Sequence, residues 1–233
     1  MAKHFRKAGA GARKMAKKRA LILYGFLLAC LAAGVLLLLL APKSPFAIGA
    51  GIGCVLAVSM ILKSKKDNPD GLIDRALQGA RGEERVETIL STLPDTYDVF
   101  HDLPCPVGNI DHIVVGPTGI FVIETKSHRG EITVSSDGSL LRDGRPLEKN
   151  VVSQVWRQTM WLKEILESRL GHSVFIHPFL VFVNGFVQVY RPVQGVTVLP
   201  GKWLAETITK KPSRLTEQQV SEIKQSLRAL LDG

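Results

Sequence analysis

Acidic residues are missing from the first 66 positions of this 233-residue chain, although this segment carries 12 of the 30 lysines and arginines. The rest of the sequence holds 18 basic and 21 acidic residues, so its net charge is −3 while the whole chain stands at +9. Tight non-specific binding to duplex DNA needs a cluster of phosphate contacts, which this acidic part does not predict. The N-terminal basic charge favours anionic lipid headgroups instead, at about 1 kcal/mol per residue near a bilayer.

Cysteine is also scarce, with Cys30, Cys54 and Cys105 only. This number and spacing exclude a disulfide framework and a Cys-x-x-Cys metal site, and they agree with a reducing cytoplasmic side. The sequence also lacks a phosphate-binding Gly-Lys-Ser/Thr loop, a serine-elbow motif and an internal repeat. These absences exclude P-loop nucleotide hydrolases, serine hydrolases of the elbow type and repeat architectures.

Two uncharged apolar runs, residues 21–41 and 46–62, are separated by a Pro-Lys-Ser-Pro breaker. At about 1.5 Å per helical residue the first run spans the roughly 30 Å hydrocarbon core, and the second is at the short end of spanning length. We therefore expect a transmembrane hairpin over residues 21–62. A cleaved signal peptide is the alternative, but the apolar region is long for one and Ala41-Pro42-Lys43 is a poor cleavage site.

Basic residues flank the predicted hairpin on both sides. Residues 1–20 form a basic tail, and residues 63–78 form a polar linker that begins with three lysines, whereas the connecting loop carries only Lys43. The excess of positive charge on cytoplasmic flanks then predicts a multi-pass protein of a bacterial-type inner membrane, with both termini in the cytoplasm. Residues 79–233 are enough for one globular domain that ends in a helix near residues 216–231.

The most informative stretch is residues 109–126, where two apolar strands flank a Gly-Pro-Thr-Gly turn. An even-numbered loop would place Asp111 opposite Glu124 on one face, and Lys126 would share that face. Such a group could hold a divalent metal and orient a water molecule. A three-residue loop with a bulge also fits the turn, and it would move Asp111 to the other face.

Structural roles are the alternative for each candidate. Asp111 and Glu124 could simply pair with Lys126 at the edge of the sheet. Glu83 lies three residues before Val86 on a buried helical stripe and so needs a partner, or it favours the first turn of its helix by its charge. Gln154 lies beside a second apolar stripe, where a glutamine is often only a hydrogen-bonding boundary residue. His112, the residue after Asp111, is expected to be a core histidine rather than a metal ligand.

Four sequence blocks between residues 79 and 190 resemble the NERD (nuclease-related) domain: Gly82-Glu83-x-x-Val86, the run from Gly108 to Lys126, Gly130-x-Ile132, and Asn150-x-x-x-Gln154. Two positions depart from the family pattern, Ile110 before the Asp and Val151 after the Asn.

This family is similar to the PD-(D/E)XK nucleases, so the resemblance implies an α/β domain with a mixed sheet flanked by helices, like restriction endonucleases. It also implies that Asp111, Glu124 and the carbonyl of Thr125 bind Mg²⁺, with Mn²⁺ as a substitute. Lys126 would assist the attacking water, while Glu83 and Gln154 would complete the catalytic site.

Together these features predict a membrane-anchored, Mg²⁺-dependent nuclease that acts in DNA processing, with DNA preferred over RNA as partner. Two alternatives stay open: a non-catalytic adaptor that tethers nucleic acid or protein to the membrane, and a phosphodiesterase for small nucleotides. The second alternative would need little basic surface.

Overall fold

A computed structural model describes residues 1–40, 44–63, 69–147 and 150–232. The chain divides into two units, one formed by residues 1–11 with 79–233 and the other by residues 12–78. The predicted linker, residues 63–78, includes residues 64–68, which are outside the described part, and the start of a helix.

The larger unit is built on an eight-stranded mixed sheet. The strands are β1 (Lys3–Phe5), β2 (Asp98–Cys105), β3 (Gly108–Gly116), β4 (Gly119–Val134), β5 (Leu140–Arg142), β6 (Arg145–Pro146), β7 (Ile176–Val187) and β8 (Thr197–Pro200). Strands β2, β3 and β4 form an antiparallel meander. Strand β5 pairs antiparallel with the last residues of β4, and β6 pairs antiparallel with β5. Strand β7 is parallel to both β4 and β8, and β1 is parallel to β2. The predicted mixed sheet flanked by helices is therefore correct.

The helices are α1 (Ala10–Leu40), α2 (Pro45–Lys63), α3 (Pro69–Leu90), α4 (Val151–Leu170), α5 (Leu204–Thr209) and α6 (Glu217–Asp232). Alternation along the strands separates two apolar faces of the sheet. Val114 and Phe121 join the core cluster that contains residues of α3 and α5, while Val115 and Ile120 join the cluster that contains residues of α4 and α6. The sheet is thus covered on both faces, which explains its near-continuous apolar strands.

The hairpin between β3 and β4 has the even register. Val115 pairs with Ile120 and Gly116 with Gly119, so Pro117 and Thr118 form a two-residue loop. Gly116 is needed at this point because an added Cβ would lie 2.2 Å from the ring of Tyr97. The three-residue loop that the sequence left open is not the one that forms.

The smaller unit contains two apolar helices. Among the described residues, one helix, over Ala10–Leu36, is long and apolar enough to span a bilayer, and Ile48–Val58 is a shorter apolar segment. At Gly34, an added Cβ would lie 3.4 Å from the Cβ of Cys54, so α1 and α2 approach closely there. The part of the chain that the structure describes therefore has one N-terminal apolar helix of spanning length.

The N-terminal segment differs from the tail that its charge suggests. Residues Lys3–Phe5 pair in parallel with β2, from Lys3 opposite Asp98 to Phe5 opposite Phe100. The amide of Ala2 also donates to the carbonyl of Leu93 at 3.0 Å. Residues 1–11 thus belong to the unit that carries the sheet, and helix α1 starts at Ala10, before the uncharged run.

Candidate functional site

The candidate site lies where the β3–β4 hairpin opens. The last register pair is His112 with Ile123, which places Asp111 and Glu124 at the next facing positions. Beyond this pair, the backbone N–H of Thr125 donates to Asp111 Oδ2 at 2.7 Å, so a side chain replaces a main-chain acceptor there. The strand then changes register against β7 between Lys126 and Arg129. Such irregularities re-aim side chains and are frequent beside active sites.

Glu124 is the centre of the hydrogen-bond network, with 3% of its surface exposed. Its Oε1 accepts from Lys126 Nζ at 2.5 Å and from Gln154 Nε2 at 2.9 Å. Its Oε2 accepts from Gln158 Nε2 at 3.0 Å. A buried carboxylate is costly unless it is paired and hydrogen-bonded, and these three donors satisfy that requirement.

Helix α4 supplies both glutamines. They lie four residues apart and therefore on one helical face. The helix begins after Asn150, whose side chain accepts from the amide of Ser153 at 2.9 Å as an N-cap. Gln158 is fully buried, and its Nε2 also donates to the carbonyl of Asn109 at 2.8 Å. It therefore links Glu124 to the start of β3. Gln154 accepts a longer contact from Lys126 at 3.4 Å.

Glu83 reaches the site from α3, the helix on the other face of the sheet. Its Oε2 accepts from the backbone N–H of Gly9 at 2.9 Å. Burial raises the pKa of Glu83 to about 7, the Gly9 hydrogen bond opposes the shift, and the charges of Asp102 and Glu124 add to it. Glu83 is thus electrostatically part of the carboxylate group, although its hydrogen-bond partner is the N-terminal segment.

Negative charge is concentrated around Asp111. Burial raises the pKa of Asp111 well above its usual range, and the charges of Glu124 and Glu83 raise it further. The hydrogen bond from Thr125 and the charge of Lys126 act in the opposite direction. The ionised forms of these three carboxyl groups repel one another, and a divalent cation would offset that repulsion.

The structure brings most of the predicted site residues together. Asp111, Glu124, Lys126 and Gln154 meet at the open end of the hairpin, and Thr125 joins through its backbone amide. Glu83 is coupled to them through charge rather than through a direct hydrogen bond.

Gln158 is the contributor that sequence reasoning missed. It lies in the apolar stripe of α4, between Val155 and Leu162. A glutamine one turn beyond Gln154, in an otherwise apolar stripe, is the signal that could have identified it.

His112 is a core histidine, as expected. The side chain is fully buried on the α3 face, with Nδ1 2.7 Å from His101 Nδ1 and Nε2 3.2 Å from Thr125 Oγ1. Through its contact with Thr125, the imidazole of His112 adjoins the candidate site from the α3 face of the sheet.

The donor set around Asp111 suits a hard divalent cation. Asp111 and Glu124 offer carboxylate oxygens, and the main chain of Thr125 is hydrogen-bonded to Asp111. Mg²⁺ is commonly held by one or two carboxylates together with water and substrate phosphate oxygens, and it does not need an all-protein cage. These residues therefore fit such an ion.

Residues 78–183 match the family model of the nuclease-related domain, NERD. The chain therefore carries a nuclease-related domain, consistent with the PD-(D/E)XK-like nuclease superfamily, and the match includes Glu83, Asp111, Glu124, Lys126 and Gln154.

An uncharacterized protein of Bacillus anthracis is 41% identical over 61 residues, which are 24% of this chain and 29% of that protein. No solved structure matches the chain significantly. The nuclease-related function thus rests on the domain match and on the geometry of the site.

Proposed function

We propose that this protein is a membrane-anchored, metal-dependent nuclease that hydrolyses phosphodiester bonds in DNA. The observation that carries the proposal is the convergence of Asp111, Glu124 and Lys126 at one end of a buried hairpin. The raised pKa of Asp111, caused by burial and by the neighbouring carboxylates, supports a site that is built to accept positive charge.

Asp111, Glu124 and the backbone carbonyl of Thr125 would hold the ion, with Mg²⁺ as the expected metal and Mn²⁺ as a substitute. When bound, such an ion stabilises charge on a phosphate and lowers the pKa of a coordinated water. The ammonium group of Lys126 is placed to orient the attacking water or to stabilise the negative charge that develops.

The remaining residues would position these groups. Gln154 and Gln158 hold the two oxygens of Glu124 in fixed directions, which preorganises the carboxylate. Glu83, with a pKa near 7, is able to exchange a proton at neutral pH, which suits an acid–base role beside the metal site.

A cleavage assay on the full chain tests this function. Short single-stranded and duplex DNA, RNA and cyclic dinucleotides would be compared side by side with Mg²⁺, with Mn²⁺ and with a chelator. We expect metal-dependent DNA cleavage that falls by at least about 100-fold in Asp111→Asn, Glu124→Gln and Lys126→Met. Glu164→Gln, an exposed carboxylate change on α4, is the matched control and should retain activity. Full activity of Asp111→Asn would contradict the mechanism.

One observation favours a different function. The sequence from residue 67 onward has a net charge of −3, which suits a binding module or a small-nucleotide phosphodiesterase better than a tightly binding nuclease. In the same assay, selective cleavage of cyclic dinucleotides would identify the phosphodiesterase. Nucleic-acid binding without cleavage, unchanged in Asp111→Asn, would identify the adaptor.

The membrane attachment is a part of the same proposal. Helix α1 supplies one apolar segment of spanning length, and α2 would return the chain as the second half of a hairpin, leaving both termini in the cytoplasm. The basic residues before residue 20 would contact anionic headgroups. Carbonate-resistant membrane fractionation, combined with protease protection of tags on each terminus, tests this topology; a tag on the opposite side would contradict it.

A further inference from the structure

A row of three buried or half-buried histidines follows the α3 face of the sheet, opposite the face of Gln154 and Gln158. His4 Nδ1 is 2.8 Å from His101 Nε2, and His101 Nδ1 is 2.7 Å from His112 Nδ1. Glu87, on helix α3, places Oε1 4.0 Å from His101 Nε2. These residues come from β1, α3, β2 and β3, so the fold assembles them from distant parts of the chain.

Ordinary core packing does not account for this row. Burial lowers the pKa of His4, and it lowers the pKa of His101 to about 4, so both rings are neutral near pH 7. A buried histidine normally satisfies both ring nitrogens, yet His4 Nε2 is buried with no hydrogen-bond partner within the described residues. Neutral imidazoles are the form in which histidine binds metals, and with Nδ1 as its ligand atom His4 would carry its proton on Nε2.

We propose that His4, Glu87 and His101 form a second metal site, selective for a transition-metal ion of the Zn²⁺ type. One potential ligand atom of each residue lies within 4.8 Å of the others. Among the described residues, this is the group of three His, Cys, Asp or Glu side chains that meets this distance. Two imidazoles and one carboxylate, with a further position for water, form a familiar zinc ligand set.

The distances support this assignment. Bonds of about 2.0 Å to a tetrahedral ion separate the ligand atoms by roughly 3.3 Å. The observed separations of 2.8 Å for the His4–His101 pair and 4.0 Å for the Glu87–His101 pair lie on either side of that value. Small side-chain rotations would therefore complete the coordination.

The other ring nitrogen of His101 already has a hydrogen-bond partner. With Nε2 as the ligand atom, His101 carries its proton on Nδ1 and donates to His112 Nδ1. The Nε2–H of His112 then donates to Thr125 Oγ1. Metal-bound histidines usually have such a partner on the other nitrogen, which fixes the tautomer and the ring orientation.

The ion would fasten β1 to the rest of the unit, because His4 is the ligand that β1 provides. The same N-terminal segment donates from Gly9 to Glu83 at 2.9 Å. Zinc binding would therefore hold this segment in place beside the carboxylate group. The zinc site does not rest on the proposed nuclease activity, since it uses different ligands on the other face of the sheet.

Calorimetric titration with Zn²⁺ tests the proposal, using the full chain in detergent and without a histidine tag. We expect one tight site that weakens by more than about 100-fold in His4→Asn and in Glu87→Gln, because losing a ligand costs more than losing an outer partner. His172→Asn, which changes an exposed loop histidine, is the matched control and should bind normally. The variant Glu124→Ala should also keep this site.

Titration with Co²⁺ gives a second readout, since the visible absorption of the bound ion should disappear in His4→Asn. If His4→Asn does not fold, Glu87→Gln decides the question alone. Absence of Zn²⁺ binding in the unaltered chain would overturn the proposal. So would zinc binding that survives both ligand changes, or that is lost only in Glu124→Ala, because the ion would then occupy the carboxylate site.

Discussion

The amide of Gln158 donates to Glu124 Oε2 at 3.0 Å, within a helix stripe that is otherwise apolar. The same nitrogen donates to the carbonyl of Asn109, so one buried side chain ties helix α4 to both strands of the hairpin. The position of this carboxylate is therefore set from the helix as well as from the sheet, and its geometry depends on residues outside the strands.

Replacing this glutamine should weaken the fold and the metal site together. Gln158→Leu keeps the volume but leaves the Glu124 oxygen and the Asn109 carbonyl without a donor, which should cost about 1–3 kcal/mol in the free energy of unfolding. Metal affinity should fall by about 10–100-fold. Urea denaturation and calorimetry measure the two effects. Gln218→Leu, on the exposed side of α6, is the control, and an equal loss there would contradict the argument.

Helix α6 should depend on a buried acidic anchor in β2. The side chain of Asp98 is 3% exposed, forms an ion pair with Lys224 at 3.0 Å and accepts from Arg228 at 2.9 Å. Asp98→Asn should lower the free energy of unfolding by about 1–3 kcal/mol, because a hydrogen-bonded charge pair loses its anion. The matched change at the exposed pair of Glu206 and Lys210, Glu206→Gln, should cost below about 1 kcal/mol. Thermal unfolding of both variants compares them directly, and similar losses would refute the anchor.

The contribution of Glu83 to stability without metal should fall as pH rises through the range from about 4.5 to 7. In this window folded Glu83, with a pKa of about 7, holds a proton that the unfolded chain, with a pKa near 4.5, has released. At this residue the native state therefore binds more protons, so its contribution decreases with increasing pH, opposite to that of the histidines His4, His101 and His177, whose pKa values are lowered by burial. Glu83→Gln should shift the slope of stability against pH towards positive values, as measured by denaturation at several pH values with a chelator present.

The exposed carboxylate of Glu164 provides the control for this pH experiment, and Glu164→Gln should leave the slope unchanged. Asp111, whose pKa is also raised, contributes in the same direction as Glu83, and its contribution persists in Glu83→Gln. A slope that is the same in the unaltered chain and in Glu83→Gln would show that Glu83 is not protonated in the folded state near neutral pH.

The sequence predicted those parts of the fold that local pattern determines. The Gly-Pro-Thr-Gly turn between apolar strands predicted a hairpin but left its register open between an even-numbered and a three-residue loop. The even register, with Val115 opposite Ile120, is the one that places Asp111 opposite Glu124. Helix α4 was visible from its apolar period, whereas the cap by Asn150 is a finding of the structure. Each of these features depends on residues close together in the chain.

The parts that escaped prediction depend on distant contacts. Strand β1 is three residues long, and Lys3 pairs with Asp98, so neither length nor periodicity identifies it inside a basic segment. The approach of His4 to His101 follows from that pairing and could not be expected without it. The donation from Gly9 to Glu83 likewise joins residues 74 positions apart.

Mg²⁺ binding to the full chain tests the central claim most directly. Calorimetric titration, with a non-hydrolysable phosphorothioate oligonucleotide present, would compare the unaltered chain with Glu124→Ala and with Glu164→Ala as the matched control. The account predicts binding in the unaltered chain and in Glu164→Ala, and its loss in Glu124→Ala. Undiminished binding in Glu124→Ala, or none in the folded unaltered chain, would contradict a metal site at the Asp111–Glu124 hairpin.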